Sequence, residues 1–263
     1  MTVISSRDNP RVRRWRDLAR DAGERRKQRR AIIEGENLIA AFLESGREVE
    51  SLMLSKSASS RPEFVALAMQ SGTTPSVLSD PLFRSIVDVE TPSGIAAEIE
   101  IPLATGKLAS ADACVFLDTI QDTGNVGTIL RSAAAFGIRH AVLGKGCADA
   151  WSPKVLRAAA GAHFSLQLSE SADLAQAMAE FGGRIACTLP RDGVPLADAD
   201  LSGRVGWLFG AEGKGVRDAL AAQAALKVTI PMPGGVESLN VAAAAAICFY
   251  QASQWPGRKG DRA

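Results

Sequence analysis

Apolar and polar positions alternate along the first hundred residues with two different periods. Short β-type runs, such as VESLMLS at 49–55 and SGIAAEIEI at 93–101, alternate with helical patterns such as NLIAAFLES at 37–45. This alternation predicts a small α/β domain over residues 1–101. The stretch 102–112 contains a proline, a glycine and small polar residues, and it is predicted to be a linker.

A second α/β series begins at Ala113. Continuous apolar runs such as ACVFLD at 113–118 and VGWLFG at 205–210 predict buried strands, and NVAAAAAICFYQASQ at 240–254 predicts a long helix. Strands that are apolar throughout are typical of a parallel sheet covered by helices on both faces. We therefore predict a second domain over residues 113–263, with ligands bound at the carboxyl ends of its strands.

Composition narrows the expected compartment and the class of cofactor. No apolar run reaches the ~20 residues of a membrane helix, and the N-terminus lacks the apolar stretch of a secretory signal. We therefore expect a cytoplasmic protein without membrane association. The cysteines, at positions 114, 147, 187 and 248, are too far apart for a CxxC pair, and the chain has only 2 histidines. We expect reduced core thiols and no metal site.

The net charge of +1 conceals a strongly basic N-terminus. Residues 1–30 hold 11 arginines and lysines against 4 acidic residues. Arginine is suited to forked contacts with phosphate groups, and Trp15 lies among these arginines, where we expect it to stack on a base. The segment therefore indicates a nucleic acid as partner.

Three glycine-rich loops follow predicted strands of the second domain, within residues 118–137, 208–216 and 230–240. Glycine-rich turns at helix starts often bind nucleotide phosphates. The Walker pattern fails here, because Gly215 follows the pair GK at 213–214. The dinucleotide pattern GxGxxG fails as well, because Asp149 stands at its third glycine position. A conventional nucleotide-dependent enzyme is therefore disfavoured and remains only an alternative.

The same loops contain a few side chains that can act chemically in a pocket made mostly of backbone. Ser238 or Asn240 is predicted to cap the N-terminus of the long helix, since both side chains accept hydrogen bonds from first-turn N–H groups. The candidate set is Asn125, Arg131, Glu212, Ser238 and Asn240.

Taken together, the loops resemble the three motifs of the SpoU (TrmH-like) branch of the SPOUT RNA methyltransferases. The first motif, NxGxxxRxxxxFG, fits residues 125–137, and the second, GxEGxG, fits residues 210–215. The third, IPMxGxxxSLNVxxAxxI, fits residues 230–247. Three motifs in the family's order make this resemblance, which covers residues 113–255, highly specific.

The resemblance implies transfer of a methyl group from S-adenosylmethionine to a ribose 2′-hydroxyl of RNA. It implies a SPOUT α/β-knot fold for the C-terminal domain, with a deep trefoil knot and a mainly parallel sheet. It also implies a homodimer, formed through that domain, whose site takes residues from both subunits. The residues expected to bind the cofactor are Thr188, Gly210, Ile230 and Leu239.

By the same resemblance, the five candidate side chains take the catalytic positions facing the ribose. Arg131 is expected to stabilise the developing alkoxide through its charge, because a guanidinium is a poor base. Asn125 and Asn240 are expected to orient the ribose and hold the loop. Glu212 is expected to fix either Arg131 or the cofactor loop.

The N-terminal stretches SRDNPRVRRWRDLA and AIIEGENLIAAFLES resemble the substrate-binding domain of the family's ribosomal RNA members, whose fold is like that of ribosomal protein L30e. This resemblance implies ribosomal RNA of the 23S type as substrate. A transfer RNA 2′-O-methyltransferase and a non-catalytic RNA-binding protein of the same fold remain alternatives. The arginines expected to contact RNA are Arg7, Arg11, Arg13 and Arg14.

Overall fold

The structure is a computed structural model that describes residues 3–87 and 89–254. The end of the predicted C-terminal domain, residues 255–263, lies outside the described residues. The chain forms two compact units. The first contains Met1–Pro102 together with Asp149–Phe164, and the second contains Leu103–Ala148 together with Ser165–Ala263. The segment 149–164 therefore packs with the first unit, although it lies within the second motif series of the sequence.

The first unit contains a four-stranded sheet with the order β1-β4-β2-β3. Strand β4 runs antiparallel to both β1 and β2, whereas β2 and β3 are parallel. The strands are β1 Arg30–Glu34, β2 Val49–Ser55, β3 Ser76–Leu78 and β4 Ile95–Glu100. The helices before the second unit begins are α1 Pro10–Arg20, α2 Ala22–Gln28, α3 Glu36–Glu44, α4 Pro62–Ser71 and α5 Asp80–Ile86.

The second unit contains a seven-stranded sheet with the order β7-β6-β5-β10-β8-β11-β9, and every neighbouring pair is parallel, as predicted. Its strands are β5 Ala113–Asp118, β6 His140–Gly144, β7 Gln167–Ala172, β8 Arg184–Thr188, β9 Val194–Pro195, β10 Val205–Gly210 and β11 Leu226–Thr229. Its helices are α6 Thr123–Ala135, α8 Leu174–Phe181, α9 Asp218–Ala221 and α10 Val241–Ser253, whereas α7 Pro153–Ala159 belongs to the first unit. The short β9 and α9 are elements that the sequence pattern does not predict.

The basic N-terminus is an ordered amphipathic helix. Asn9 caps α1 by accepting a hydrogen bond from the backbone N–H of Arg11 at 2.9 Å, and Pro10 occupies the first helical position. Trp15 is only 1% exposed, and its indole N–H donates to Glu98 at 2.9 Å and to Ser51 at 3.2 Å. The prediction that Trp15 stacks on a base is therefore wrong, because its ring belongs to the core of the first unit.

The segment 149–164 completes the core of the first unit. Phe164 packs edge-on against Phe42, with ring centroids 5.1 Å apart. Arg25, 3% exposed, donates to the carboxylate of Asp149 through Nε at 2.8 Å and through a terminal nitrogen at 2.6 Å. His163 is fully buried, and its Nε2 lies 2.7 Å from the carbonyl oxygen of Ala150. These contacts tie the segment to α2 and α3 without leaving the buried charge of Arg25 unpaired.

In the described part of the chain, no helix is long and apolar enough to cross a membrane.

Candidate active site

The carboxyl ends of the strands in the second unit surround a cavity of about 720 Å³. Three loops form its walls: residues 188–191 after β8, residues 210–215 after β10 and residues 230–241 after β11. This location is the one at which open parallel sheets bind their ligands. The volume lies within the range of ~300–1,000 Å³ that is usual for small-molecule sites.

All of the residues that the sequence assigned to the cofactor line this cavity. Thr188 ends β8, Gly210 ends β10, Ile230 follows β11 and Leu239 lies just before α10. Most of the residues that line the cavity are glycine, alanine or larger apolar residues.

Close backbone packing shapes the wall after β10. A Cβ atom on Gly210 would lie 2.1 Å from the carbonyl carbon of Gly215, so only glycine fits at position 210. The backbone N–H of Gly215 donates to the carbonyl of Ala211 at 2.8 Å, which closes residues 211–215 into a tight turn. Gly213 and Gly215 have φ values of 79° and 67°, the left-handed region that favours glycine.

A polar network joins three of the predicted catalytic residues. Oε1 of Glu212 accepts a hydrogen bond from Nδ2 of Asn125 at 2.7 Å and another from Nδ2 of Asn240 at 2.9 Å. Nδ2 of Asn240 also lies 2.9 Å from Oδ1 of Asn125. One residue from each motif loop therefore meets the other two at the edge of the cavity.

Helix caps fix both asparagines. Oδ1 of Asp122 accepts from the backbone N–H of Asn125 at 2.7 Å, which places Asn125 in the first turn of α6. Oδ1 of Asn240 accepts from the backbone N–H groups of Ala242 and Ala243, at 2.9 and 3.1 Å. The predicted cap of the long helix is thereby confirmed, with Asn240 as the capping residue, and its Nδ2 remains available to the network. Ser238 lies on the cavity wall two residues earlier.

Arg131 stands apart from this network. It lies on an exposed face of α6 and, among the described residues, makes no hydrogen bond or ion pair. The expectation that Glu212 fixes Arg131 is not met within one chain, because the interactions of Glu212 go to Asn125 and Asn240. Glu212 instead ties the loop after β10 to α6 and α10.

A second polar pair close to the site was not predicted from the sequence. Asp118, at the end of β5, is completely buried, and Arg217 donates to it through its backbone N–H and its side chain. The available signal was an apolar strand that ends on an aspartate. Arg191 and Glu237 also line the cavity, and no motif position marks either of them.

The cysteines take no part in the site. Cys114, Cys187 and Cys248 are buried and Cys147 is half-buried, and all of them are free thiols. Burial raises the pKa of Cys187 to about 11 and that of Cys248 to about 12, so both stay protonated at neutral pH. Within residues 3–87 and 89–254, no cluster of His, Cys, Asp or Glu side chains has the arrangement of a metal site.

Two models of protein families match the chain. Residues 112–250, which include the cavity and its polar network, match the model described as the SpoU rRNA Methylase family. Residues 9–97 match the model described as the MRM3-like substrate binding domain.

Individual relatives agree with these matches over nearly the whole chain. The 23S rRNA (guanosine(2553)-2′-O)-methyltransferase RlmP of Bacillus subtilis is 34% identical over 253 residues, covering 95% of this chain and 98% of that protein. The AdoMet-bound rRNA methyltransferase structure from Sinorhizobium meliloti has a TM-score of 0.82 at 25% identity, covering 95% of this chain and 97% of that one. The structure of an RNA 2′-O ribose methyltransferase has a TM-score of 0.79 at 28% identity, covering 95% and 98%. These likenesses confirm the predicted fold class.

Proposed function

Because the chain belongs to the SpoU rRNA methylase family, we infer that it is an S-adenosylmethionine-dependent 2′-O-ribose methyltransferase acting on ribosomal RNA. The observation that carries this inference is the cavity after β8, β10 and β11, which meets the network of Asn125, Glu212 and Asn240. A cofactor cavity bordered by fixed polar groups can hold the two reactants of a methyl transfer in position.

S-adenosylmethionine supplies an electrophilic methyl group on its sulfonium. The residues of this chain then have to hold a ribose 2′-oxygen in line with that methyl group. They also have to accommodate the proton that the 2′-hydroxyl loses and stabilise the negative charge that develops on its oxygen. Ser238 lies on the cavity wall and presents a hydroxyl suited to a hydrogen bond with a ribose hydroxyl, whereas the amide of Asn240 is engaged by the helix cap and by Glu212 and Asn125. Holding two reactants in the correct geometry supplies much of the rate enhancement of such a transfer.

Glu212 is the rigid centre of this arrangement. Its carboxylate accepts from two amides that are themselves fixed at helix starts, so the loop 211–215 is held in one conformation. Glu212 therefore stabilises both the wall of the cofactor cavity and the position of Asn240.

Arg131 is proposed to stabilise the alkoxide that develops when the 2′-hydroxyl loses its proton. A guanidinium stays charged at neutral pH, which makes it an electrostatic stabiliser rather than a base. Its side chain is exposed and, within the described residues, has no partner in its own chain. An arginine in this state is available to a phosphate of the substrate or to the site of a second subunit.

The proposed homodimer uses the outer face of α6 and α10. Tyr250 and Ile247 on α10 are 55% and 40% exposed, and the ring of Phe136 lies 6.0 Å from that of Tyr250. Exposed apolar side chains of this size are typical of an interface. Arg131 is also exposed on α6, so we propose that a second copy covering these helices contacts that arginine. We expect light scattering to give a dimer, and Tyr250→Asp to shift the protein toward a monomer.

Ribosomal RNA contact is assigned to the arginines of the first unit, with a distinction among them. Arg7 and Arg11 are exposed, and the guanidinium of Arg11 lies 4.9 Å from the centre of the Trp15 ring. Arg13 donates to the carbonyl oxygen of Asp8 at 2.7 Å. Arg14 is paired with the buried carboxylate of Glu98, which reduces the charge that it offers to RNA.

The exposed arginines are suited to contact the phosphate groups of an RNA that lies along this helix face. We propose the cytoplasm as the location of both the substrate and the cofactor. The test is methyl transfer from tritiated S-adenosylmethionine to ribosomal RNA from cells that lack the enzyme, with transfer RNA from the same cells as comparison. We expect label in a ribose 2′-O position of the large ribosomal RNA. Label confined to transfer RNA would overturn the substrate, and the absence of label with intact cofactor binding would overturn the activity.

A further inference from the structure

The loop that carries Glu212 is anchored by a charged pair outside the cavity wall. In the parallel pairing of β10 with β5, the last pair joins Gly210 to Asp118. Asp118 therefore lies directly beside the point at which the chain leaves the sheet to form residues 211–217. The other end of this loop returns to the same place, because Arg217 is hydrogen-bonded to Asp118.

Both carboxylate oxygens of Asp118 accept hydrogen bonds from Arg217. Asp118 is 0% exposed, and its Oδ2 accepts from the backbone N–H of Arg217 at 3.0 Å. Its Oδ1 accepts from Nε of Arg217 at 2.8 Å, and a terminal nitrogen of the same guanidinium lies 2.8 Å from that oxygen. The Arg217 side chain is 58% exposed, so its partner is the buried member of the pair. Removing the arginine would leave a buried carboxylate without its cation.

Asp118 is also the residue at which the first motif loop begins. Thr119 follows it with φ of 57°, and the chain then reaches Asp122 and Asn125 at the start of α6. The first motif loop begins at Asp118, and loop 211–217 ends at Arg217, which is bonded to Asp118. The two loops also contact each other where Asn125 donates a hydrogen bond to Glu212. One buried carboxylate thus lies at the base of both loops, and the hydrogen bond between Asn125 and Glu212 lies at their tips.

We propose that Asp118 and Arg217 are positioning residues for methyl transfer. They hold loop 211–217 closed, which places Glu212 against Asn125 and Asn240 and shapes the cofactor wall at residues 210–215. Neither residue lines the cavity, so the pair acts on bound ligand through Glu212 and the loop backbone. This inference rests on the proposed function of the cavity.

The first test compares Arg217→Ala with Arg184→Ala. Arg184 and Asp200 form another ion pair of the second unit, at 2.9 Å, and neither residue lines the cavity. Cofactor dissociation constants are measured by calorimetry with S-adenosylmethionine, and kcat is measured at saturating cofactor and RNA. We expect Arg217→Ala to weaken cofactor binding at least tenfold and to lower kcat at least tenfold, whereas Arg184→Ala changes neither by more than about twofold.

Conservative variants separate positioning from stability. Arg217→Lys keeps the charge and should recover part of both losses, while Arg217→Gln keeps hydrogen-bonding capacity and provides a folded variant should the alanine variant unfold. Melting temperatures are measured for each, and the assays are run well below all of them. A purely structural role would reduce the amount of folded enzyme but leave the cofactor dissociation constant of the folded fraction unchanged.

A double-mutant cycle supplies the second test. If the two residues act as one unit, Asp118→Asn combined with Arg217→Gln should lose no more cofactor affinity than the worse single variant. Losses that multiply, or Arg217 variants that match Arg184→Ala in both parameters, would overturn the inference while leaving the proposed function intact. A wild-type protein that neither binds S-adenosylmethionine nor methylates RNA would instead overturn the proposed function.

Discussion

Oε1 of Glu212 and Nδ2 of Asn125 lie 2.7 Å apart, although 87 residues separate them in sequence. The bond joins the loop after β10 to the first turn of α6, and Asn240 adds a third element to the same carboxylate oxygen. Because these contacts are known atom by atom, the contribution of a residue to folding can be tested separately from its contribution to the reaction.

Asn240 has two roles that one substitution can separate. Its Oδ1 caps α10 and its Nδ2 donates to Glu212. We predict that Asn240→Ser, which retains a good capping group, is about 1 kcal/mol more stable than Asn240→Ala. Because the amide is lost, we expect methyl transfer to fall at least tenfold. Asn240→Ala should lose the same activity, and it should unfold more readily than the serine variant because it also lacks the capping group. Equal activity in the serine variant and wild type would show that the amide is not needed.

Arg131→Ala is predicted to abolish methyl transfer and to leave cofactor binding nearly unchanged. The side chain is exposed and outside the cavity, so we expect the stability to change by less than about 0.5 kcal/mol. Single-turnover transfer and calorimetry with S-adenosylmethionine measure the two quantities. Arg139→Ala, an exposed arginine before the amino end of β6, is the matched control and should behave as wild type. Turnover of Arg131→Ala close to wild type would refute the assignment.

The double variant Arg7→Gln/Arg11→Gln is predicted to weaken RNA binding and to reduce its salt dependence. Each phosphate that the protein no longer neutralises should lower the slope of log affinity against log salt by about one, so the expected change is about two. Filter binding at several salt concentrations measures the slope. Arg84→Gln, on the exposed side of α5, serves as the control with no expected change. An unaltered slope in the double variant would place the RNA elsewhere.

His163 is predicted to make the stability of the first unit pH-dependent. Burial, opposed by the hydrogen bond with Ala150 and by the charge of Asp149, lowers its pKa from 6.5 to about 4. The unfolded chain therefore binds a proton that the folded chain does not between about pH 6.5 and pH 4. The contribution of neutral His163 to the free energy of unfolding is fully present above about pH 6.5. It falls as the pH drops through this window, by about 2 kcal/mol between pH 7 and pH 5.

Denaturant unfolding at these two pH values measures the effect. His163→Gln, which keeps an N–H group to meet the carbonyl of Ala150, should remove most of the pH dependence. His140→Gln alters the chain's other histidine, in the second unit, and should retain it. A His163→Gln variant that loses stability with pH as steeply as wild type would show that other groups titrate in this range.

The sequence predicted most of what depends on local pattern. Apolar runs located the strands of the parallel sheet, and the polar residues before α10 located its cap at Asn240. The motif positions also include Glu212, Ser238 and Asn240, which line the cavity, whereas Asn125 and Arg131 do not. A shared motif carries spatial information that periodicity lacks. The base of the site, at Asp118 and Arg217, was missed because an aspartate at a strand end gives no sign of a partner 99 residues away.

The count of basic residues led to a wrong role for Trp15, whereas the helical periodicity of the apolar residues around it indicates a buried side chain. Trp15 stands among arginines in sequence, but it lies three residues from both Val12 and Leu18, and all three side chains are buried on one face of α1. Arg25 contributes to the basic count of the N-terminus, yet it is buried against Asp149, 124 residues later. Long-range ion pairs of this kind leave no local trace in sequence.

The placement of residues 149–164 within the first unit sets an order on events during synthesis. A ribosome that has released the first 102 residues has delivered Phe42 and Arg25, but it has not yet delivered Phe164 and Asp149, which cover them. Domains usually fold as they emerge. Here the N-terminal unit has to wait for chain that comes after two strands of the other unit, β5 and β6, have been made. The nascent protein consequently passes through a stage at which apolar surface on its first unit is open to chaperones.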